Sequence, residues 1–398
     1  MREGGGFRLG FWRGVSFLIL AVGIVLTVLR YVKGLGAVTN LSDAYPWGLW
    51  VGFDVLCGVG LAAGGFTITA VVYILNIRRF KPIVRPAVLT AFLGYLMVVV
   101  ALLLDLGRPW NLWHPLVMWN PRSVMFEVSW CVTLYTTVLS LEASGMFFER
   151  LGWRRLLAVQ QAVTVPLVLA GVILSTLHQS SLGAFYLIAP GKLHPLWYSA
   201  ALPWIFFVSS VAVGLAMVIV ESHLSARAFR RNLEMPLLAE LGRALVAVLW
   251  VYGVLRVYDL VNRGTLSQAF GSSYEARMFQ LEFVAGVLLP MVLLALPAVL
   301  RNTRALYGSS LLVVLGFIVN RLNVSITGFE GAQGGRYVPA WSEVAITLML
   351  VVLGFLAFRL AVRHLAVYPA EGGRPEPALA PVPDARPVPI TPAPARRP

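Results

Sequence analysis

Charge is what this chain has least of. Only 13% of its 398 residues are charged, against 58% that are hydrophobic. A soluble domain carries about a quarter of its residues as Asp, Glu, Lys and Arg, so this chain could not cover a water-facing surface. Cysteine is almost missing as well. Cys57 and Cys131 both sit in apolar runs, too few to ligate an iron–sulfur cluster without other groups and not expected to form a disulfide. Histidine is scarce too, and His114, His178, His194, His223 and His364 all fall at the edges of apolar runs or between them. A membrane cytochrome b takes axial ligands, typically histidines, from within its spans. The expectation is therefore a subunit without haem. No Walker loop, HExxH zinc motif, GxSxG elbow or dinucleotide fingerprint occurs in a suitable context. The run Gly60 to Gly65 (GLAAGG) suits close helix packing better than phosphate binding.

What is present is long greasy sequence. Mean hydropathy is +0.78, and apolar segments fall at about 14–32, 48–75, 84–105, 122–146, 156–178, 199–222, 243–262, 277–300, 304–322 and 341–362. Segments of about 20 residues match a bilayer's hydrocarbon core, so the fold expected is an all-α polytopic membrane protein of about ten transmembrane helices. Arg2, Arg8 and Arg13 precede the first segment in the manner of a signal peptide. That segment has span length and no clear small-residue cleavage site, and it is read as a retained first helix. The last 30 residues hold 10 prolines and read as a disordered tail.

The net charge of +14 does not point to nucleic acid, because no basic stretch is interleaved with exposed aromatics. Most arginines sit at the ends of apolar runs, as topology signals. The N-terminus, the tail and the loops on their side hold 21 Lys and Arg, and the opposite loops hold 9. The positive-inside rule puts both termini in the cytoplasm. The outer loops are mostly longer, and they carry Trp, His, Gly and Pro.

A repeat runs through the chain. Asp105 and Asp259 are 154 residues apart, as are Trp50 and Trp204, and Glu127 and Glu282 are 155 apart. LHQSSLG (Leu177 to Gly183) returns loosely as LNVSITG (Leu322 to Gly328). These matches divide the chain into residues 1–43 with helix one, 44–195 and 196–335 as two four-helix bundles (helices 2–5 and 6–9), 336–368 with helix ten, and the tail 369–398. A shift by an even number of spans makes the repeats parallel.

Charges inside spans cost of order 2.5–3.5 kcal/mol near a helix centre and therefore mark candidate sites. Asp54, Asp105, Arg108, Glu127 and His178 converge on the outer ends of helices two to five. Asp54 is a proton relay, a holder of a polar head group, or a carboxylate paired with an arginine. Asp105 and Arg108, three apart, read as a local pair, as do Arg256 and Asp259. Glu127, a turn into helix four and without a basic neighbour at helical spacing, reads as a desolvated carboxyl suited to proton exchange. His178 is expected where helix five leaves the membrane. With Gln179, Ser180 and Ser181 after it, it suits a quinone carbonyl and its proton; a histidine favoured by the helix dipole is the plain alternative. His114 lies between tryptophans, where interfacial anchoring is an equal reading.

The segments PWGLWVGFDVLCGVGLAAGG, LLLDLGRPW, SVMFEVSW and LHQSSLG resemble the NrfD/polysulfide-reductase (PsrC) membrane subunits. Within that family, the ten-span length and the run from Tyr45 to Gly183 look most like the HybB type of hydrogenase-2-like complexes. The match is dense in the first half and looser after Leu196. The resemblance implies a haem-free subunit reacting with menaquinone or ubiquinone near the outer surface. It also implies an extracytoplasmic four-cluster ferredoxin-like partner and, through it, a catalytic subunit such as a [NiFe] hydrogenase. In some members it implies proton movement as well. Asp54, Glu127 and His178, with Gln179 beside it, occupy the motif positions associated with quinone or proton handling, and His114 and Arg108 lie on the partner-facing side. Other branches of the family, serving polysulfide, nitrite or arsenic reduction, remain open. So do a secondary transporter and a passive anchor, although nearly apolar helix midplanes argue against transport.

Overall fold

The computed structural model describes residues 10–368; the expected tail lies outside them. Among the described residues, ten helices are long and apolar enough to cross a membrane: α1 Phe11–Lys33, α2 Trp50–Ile74, α3 Arg78–Asp105, α4 Val124–Leu151, α5 Thr164–Ile188, α6 Leu202–Phe229, α7 Met235–Asn262, α8 Tyr274–Ala295, α9 Thr303–Gln333 and α10 Trp341–His364. No strand occurs among the described residues. The protein is a multi-pass, all-α membrane protein.

The helix ends follow local chemistry. Ser123 and Ser273 cap α4 and α8 by accepting the amides of Phe126 and Ala276, and Asn302 caps α9 by accepting those of Arg304 and Ala305. Each cap satisfies amides that lack an intrahelical partner. α4 stops at Gly152, whose φ of 70° suits glycine. Arg30, nearly fully buried, donates to the carbonyls of Leu104 (2.6 Å) and Leu106 at the far end of α3. It is thus a cap for another helix, although its place in the sequence reads as a loop charge.

Two boundaries differ substantially from those expected. Residues 154–162 form a separate short helix, Arg154–Ala162, and α5 runs on to Ile188. α9 continues past Leu322 to Gln333. In both, the sequence pattern breaks at a polar run that the fold buries instead of exposing.

α2 and α6 form the centre, with 78% and 67% of their apolar windows buried, against 17% for α1 and 22% for α10. α2 and α6 cross where Gly64 meets Gly214; a Cβ on Gly214 would lie 2.9 Å from the Ala63 carbonyl carbon, so backbone rests on backbone. α5 packs on α6, and α9 packs back on α2. α1 and α10 pack on each other, with α10 against α3. At the α8–α9 crossing a methyl on Gly286 or Gly316 would overlap the other's Cα.

Three helices widen into π-turns: α2 over Trp50–Cys57, α8 over Leu281–Leu288 and α9 over Asn323–Thr327. Such turns are often found at functional sites. Here they carry Asp54, Glu282 and Asn323. The odd-numbered helices finish, and the even-numbered ones start, at an end rich in tryptophan (Trp47, Trp110, Trp113, Trp119, Trp197), whereas arginines crowd the opposite end.

Candidate functional site

In the first half of the chain, α3, α4 and α5 bring Tyr95, Tyr135, Ser175 and His178 together. All four are buried. The Tyr95 hydroxyl lies 2.8 Å from His178 Nδ1, and Tyr95 and Tyr135 meet edge to face at 4.7 Å. His178 Nε2 has no hydrogen-bond partner. His178 is therefore not at the exit of helix five, as expected, but inside α5 with no exposed surface. α5 stays helical through the run His178 to Ser181 because each hydroxyl bonds back into the helix, Ser180 to Thr176 and Ser181 to Leu177.

Gln179 faces the other way. Its Oε1 accepts from Ser210 of α6 at 2.6 Å and its Nε2 donates to the Val59 carbonyl of α2 at 3.2 Å. The amide ties α5 to the two central helices, which engages both of its polar ends.

Glu127 sits in the first turn of α4 and accepts from Ser181 at 2.6 Å. It is exposed on the protein surface, so the expectation of burial within the protein is corrected. Asp54, in the π-turn of α2, is buried and accepts from Thr347 of α10 at 2.8 Å; its partner is a hydroxyl, not an arginine. Arg108 lies exposed beyond the end of α3. No Asp105–Arg108 ion pair forms among the described residues, because α3 ends at Asp105 and the chain turns away. His114 begins a short helix, His114–Val117, edge to face with Trp113 at 4.4 Å. Around it Trp110, Trp119, Val117 and Met118 are exposed. The structure thus joins Glu127 to α5 near His178 and keeps Arg108 and His114 on the loop at the tryptophan end. Asp54 stands apart, toward α10.

The second half holds a polar network that the sequence reading mostly missed. Glu282 of α8, 2% exposed, accepts from Asn320 (2.9 Å), Asn323 (2.7 Å) and Trp197 (3.0 Å), and Arg256 of α7 approaches it at 3.5 Å. Arg321 of α9, 1% exposed, donates to Asn320 (2.7 Å) and Ser209 (2.9 Å), and its guanidinium lies 3.6 Å from the centroid of the Phe206 ring. Ser210 then links this network to Gln179. One buried guanidinium thus faces the buried Glu282 carboxylate directly, and a second, that of Arg321, is linked to it through Asn320. The expected Arg256–Asp259 pair is replaced: Asp259 binds Arg263 at 2.7 Å and Ser199, while Arg256 turns to Glu282. The expectation of nearly apolar helix interiors is corrected by the same residues. Arg321 could have been found from the LNVSITG repeat, since it immediately precedes that segment in the helix paired with α5. A small cavity lined by Ser209, Tyr252, Glu282, Asn320 and Phe317 adjoins the network.

Outside the spans, His194 lies in the segment between α5 and α6. Its Nδ1 accepts the Leu196 amide at 3.2 Å. Partial burial lowers its pKa below the ordinary histidine value, and Glu275 opposes the shift. The neutral ring is the form that this turn uses.

Ten helices enclosing buried polar clusters define a polytopic membrane subunit whose reactive groups lie inside and at one end of the bundle. The chain belongs to the NrfD family: the model described as "Polysulphide reductase, NrfD" matches residues 37–330. It is 44% identical over 347 residues to a protein of Nitratidesulfovibrio vulgaris, covering 84% of this chain and 88% of that one. It is 35% identical over 335 residues to the probable Ni/Fe-hydrogenase 2 b-type cytochrome subunit of Escherichia coli (83% and 85%). It is 30% identical over 369 residues to the menaquinone reductase integral membrane subunit of N. vulgaris (85% and 87%). The chain is an NrfD-type membrane subunit of oxidoreductase complexes, and the resemblance to the HybB type holds over most of its length.

The expectation of a subunit without haem is corrected on two grounds. The E. coli relative is named a b-type cytochrome subunit, and the premise that no histidine lies inside a span fails at His178. The buried His178 Nε2, without a hydrogen-bond partner, is the imidazole nitrogen that would hold a haem iron. His114, His194 and His223 make their ring contacts with Trp113, Trp197 and Tyr307, and none of them touches His178.

Proposed function

We propose that this subunit lets a quinone exchange two electrons and two protons with an extracytoplasmic ferredoxin-like iron–sulfur subunit, and through it with a catalytic subunit of the [NiFe] hydrogenase type. The observation that carries the reading is His178: a buried imidazole held at Nδ1 by Tyr95, with Nε2 lacking a hydrogen-bond partner, next to the Glu127–Ser181 pair on the surface of α4 and α5. A quinone carbonyl needs a hydrogen-bond donor to bind and a proton to be reduced. An imidazole supplies both.

Glu127 stands where a lipid-soluble substrate arrives from the bilayer, and its carboxylate exchanges the proton with the outer surface. His178 is the binding and proton-donating group. Asp54 holds a second protonic position toward α10, and Gln179 acts by fixing α5 against α2 and α6. Arg108, His114 and the exposed tryptophans around them form the face for the iron–sulfur partner. In this reading the tryptophan end is extracytoplasmic, both termini are cytoplasmic, and the membrane is the prokaryotic cytoplasmic membrane. Helices α2–α5 and α6–α9 are the two repeated units. The names of the E. coli hydrogenase relative and of the menaquinone reductase relative support the hydrogenase partner and the quinone respectively. Haem is implied by the first name for that protein; carried here, a haem held by His178 Nε2 would supply one-electron transfer, and that nitrogen would then not be the proton donor to the quinone.

The test replaces His178 by Ala in the complex isolated from membranes. Quinone-linked turnover should fall by about 10²-fold or more, while activity with an artificial dye that accepts electrons from the catalytic subunit stays intact. Unchanged quinone-linked turnover would refute the role of His178.

A further inference from the structure

The helices α6, α7, α8 and α9 enclose a cavity of about 30 Å3. Its walls follow from local geometry. α8 widens into a π-turn over Leu281–Leu288, which brings Glu282 and Gly286 to the wall, and Gly286 and Gly316 add only backbone where α8 crosses α9. Ala212 of α6 adds a single methyl group. Four polar side chains complete the lining: Ser209, Tyr252, Glu282 and Asn320, all buried.

The hydrogen-bonding capacity left on these four groups limits what the cavity can hold. The Ser209 hydroxyl donates to the Phe206 carbonyl (2.9 Å) and accepts from Arg321 (2.9 Å), which leaves it one lone pair. Asn320 accepts from Arg321 and gives one amide hydrogen to Glu282, which leaves it a second. Glu282 Oε1 accepts that one hydrogen and has a lone pair to spare. Among the described residues the Tyr252 hydroxyl makes no hydrogen bond, although Tyr252 is only 4% exposed. Donors and acceptors are thus both left over. An anion would meet the Glu282 carboxylate, with the phenol and one amide hydrogen as its free donors. A cation would be repelled by the guanidinium groups of Arg256 and Arg321, which stand next to Glu282 and Asn320. Size excludes an organic ligand, since one water already takes about 10–15 Å3 of such space.

From this balance we propose that the cavity is a hydration site, in which about two ordered water molecules bridge Tyr252 of α7 to Glu282 of α8 and to Ser209 and Asn320 of α6 and α9. The water meets two needs. It gives the Tyr252 hydroxyl a partner, which packed interiors seldom leave out, and it gives the Glu282 carboxylate a neutral donor besides Asn320, Asn323 and Trp197. Buried water of this kind makes about three hydrogen bonds and is costly to remove. The site is independent of the quinone reading of His178.

The experiment images the complex, isolated with its accompanying subunits, by electron cryo-microscopy at a resolution that shows ordered water. Density for one or two waters within about 3.2 Å of Tyr252 Oη and Glu282 Oε1 is expected. Melting temperatures of Ala212→Val, Tyr252→Phe and the double variant then separate water from void by their sign. The added methyls of Ala212→Val displace water without replacing its hydrogen bonds and should lower the melting temperature by about 2 °C or more; in an empty cavity they would fill space and raise it. Tyr252→Phe should lower it as well, because a bonded hydroxyl is lost, whereas removal of an unmatched hydroxyl would leave it unchanged or raise it. Both changes act on the same water, so the double variant should lose less than the sum of the two. A cavity without water density, or with density for a larger molecule, would overturn the proposal. So would a melting temperature that Ala212→Val raises and Tyr252→Phe leaves unchanged or raises.

Discussion

Arg256 and Glu282 approach to 3.5 Å in a setting where both are almost fully buried, and Glu282 is also the acceptor for Asn320, Asn323 and Trp197. None of the Arg256 nitrogens makes a hydrogen bond. The carboxylate is therefore what keeps the Arg256 guanidinium tolerable inside the bundle, and it touches that of Arg321 only through Asn320.

Removing it alone should be severe. Glu282→Ala leaves uncompensated buried charge and is expected to destabilise the protein by about 3–5 kcal/mol, whereas Arg256→Met combined with Glu282→Leu should recover a large part of that loss. Thermal unfolding in detergent of Arg256→Met, Glu282→Leu and the double variant measures the coupling. Additive losses would contradict the pairing.

The α8–α9 crossing admits only glycine. Gly316→Ala places a methyl onto the Gly286 Cα and should cost about 1–3 kcal/mol by overpacking. Gly253→Ala, where nothing lies within 4 Å of the new Cβ, should be neutral or slightly stabilising. A comparison of their melting temperatures checks the crossing.

His194 makes stability depend on pH. Its pKa in the folded protein lies below the ordinary value, so the unfolded chain binds the proton more readily. The stabilisation is present above about pH 6.5 and is lost as pH falls through the folded value. Acidification also breaks the bond from the Leu196 amide to Nδ1. The melting temperature should fall between pH 7.5 and pH 5 by a few degrees more in the unaltered protein than in His194→Asn; equal slopes would exclude the effect.

The sequence carries the spans well because lipid is a uniform solvent, so greasy length alone marks a helix. It carries the polar interior poorly for the same reason. A hydropathy reading ends a helix where polar residues begin, so Asn320, Arg321 and Asn323 look like the start of a loop, and His178 to Ser181 look like an exit from the membrane. In the fold α9 and α5 continue through those runs, because Glu282, Ser209 and Ser210 on neighbouring helices satisfy them. Partners on other helices have no sequence signature. Spacing suggests Arg256 with Asp259 and Asp105 with Arg108, but the first pair separates toward Glu282 and Arg263 and the second is divided by the end of α3. Matching spacing along the chain says little about chemistry. Glu127 and Glu282 stand 155 residues apart, yet one is exposed and the other is buried and accepts from Asn320, Asn323 and Trp197.

The quinone reading depends on the surface where Glu127 meets Ser181. The most direct measurement is quinone-linked turnover of the complex carrying Glu127→Gln, set against its activity with an artificial dye. Loss of the quinone-linked rate with the dye activity preserved is the predicted result. Equal quinone-linked rates in the variant and the unaltered complex would contradict the account.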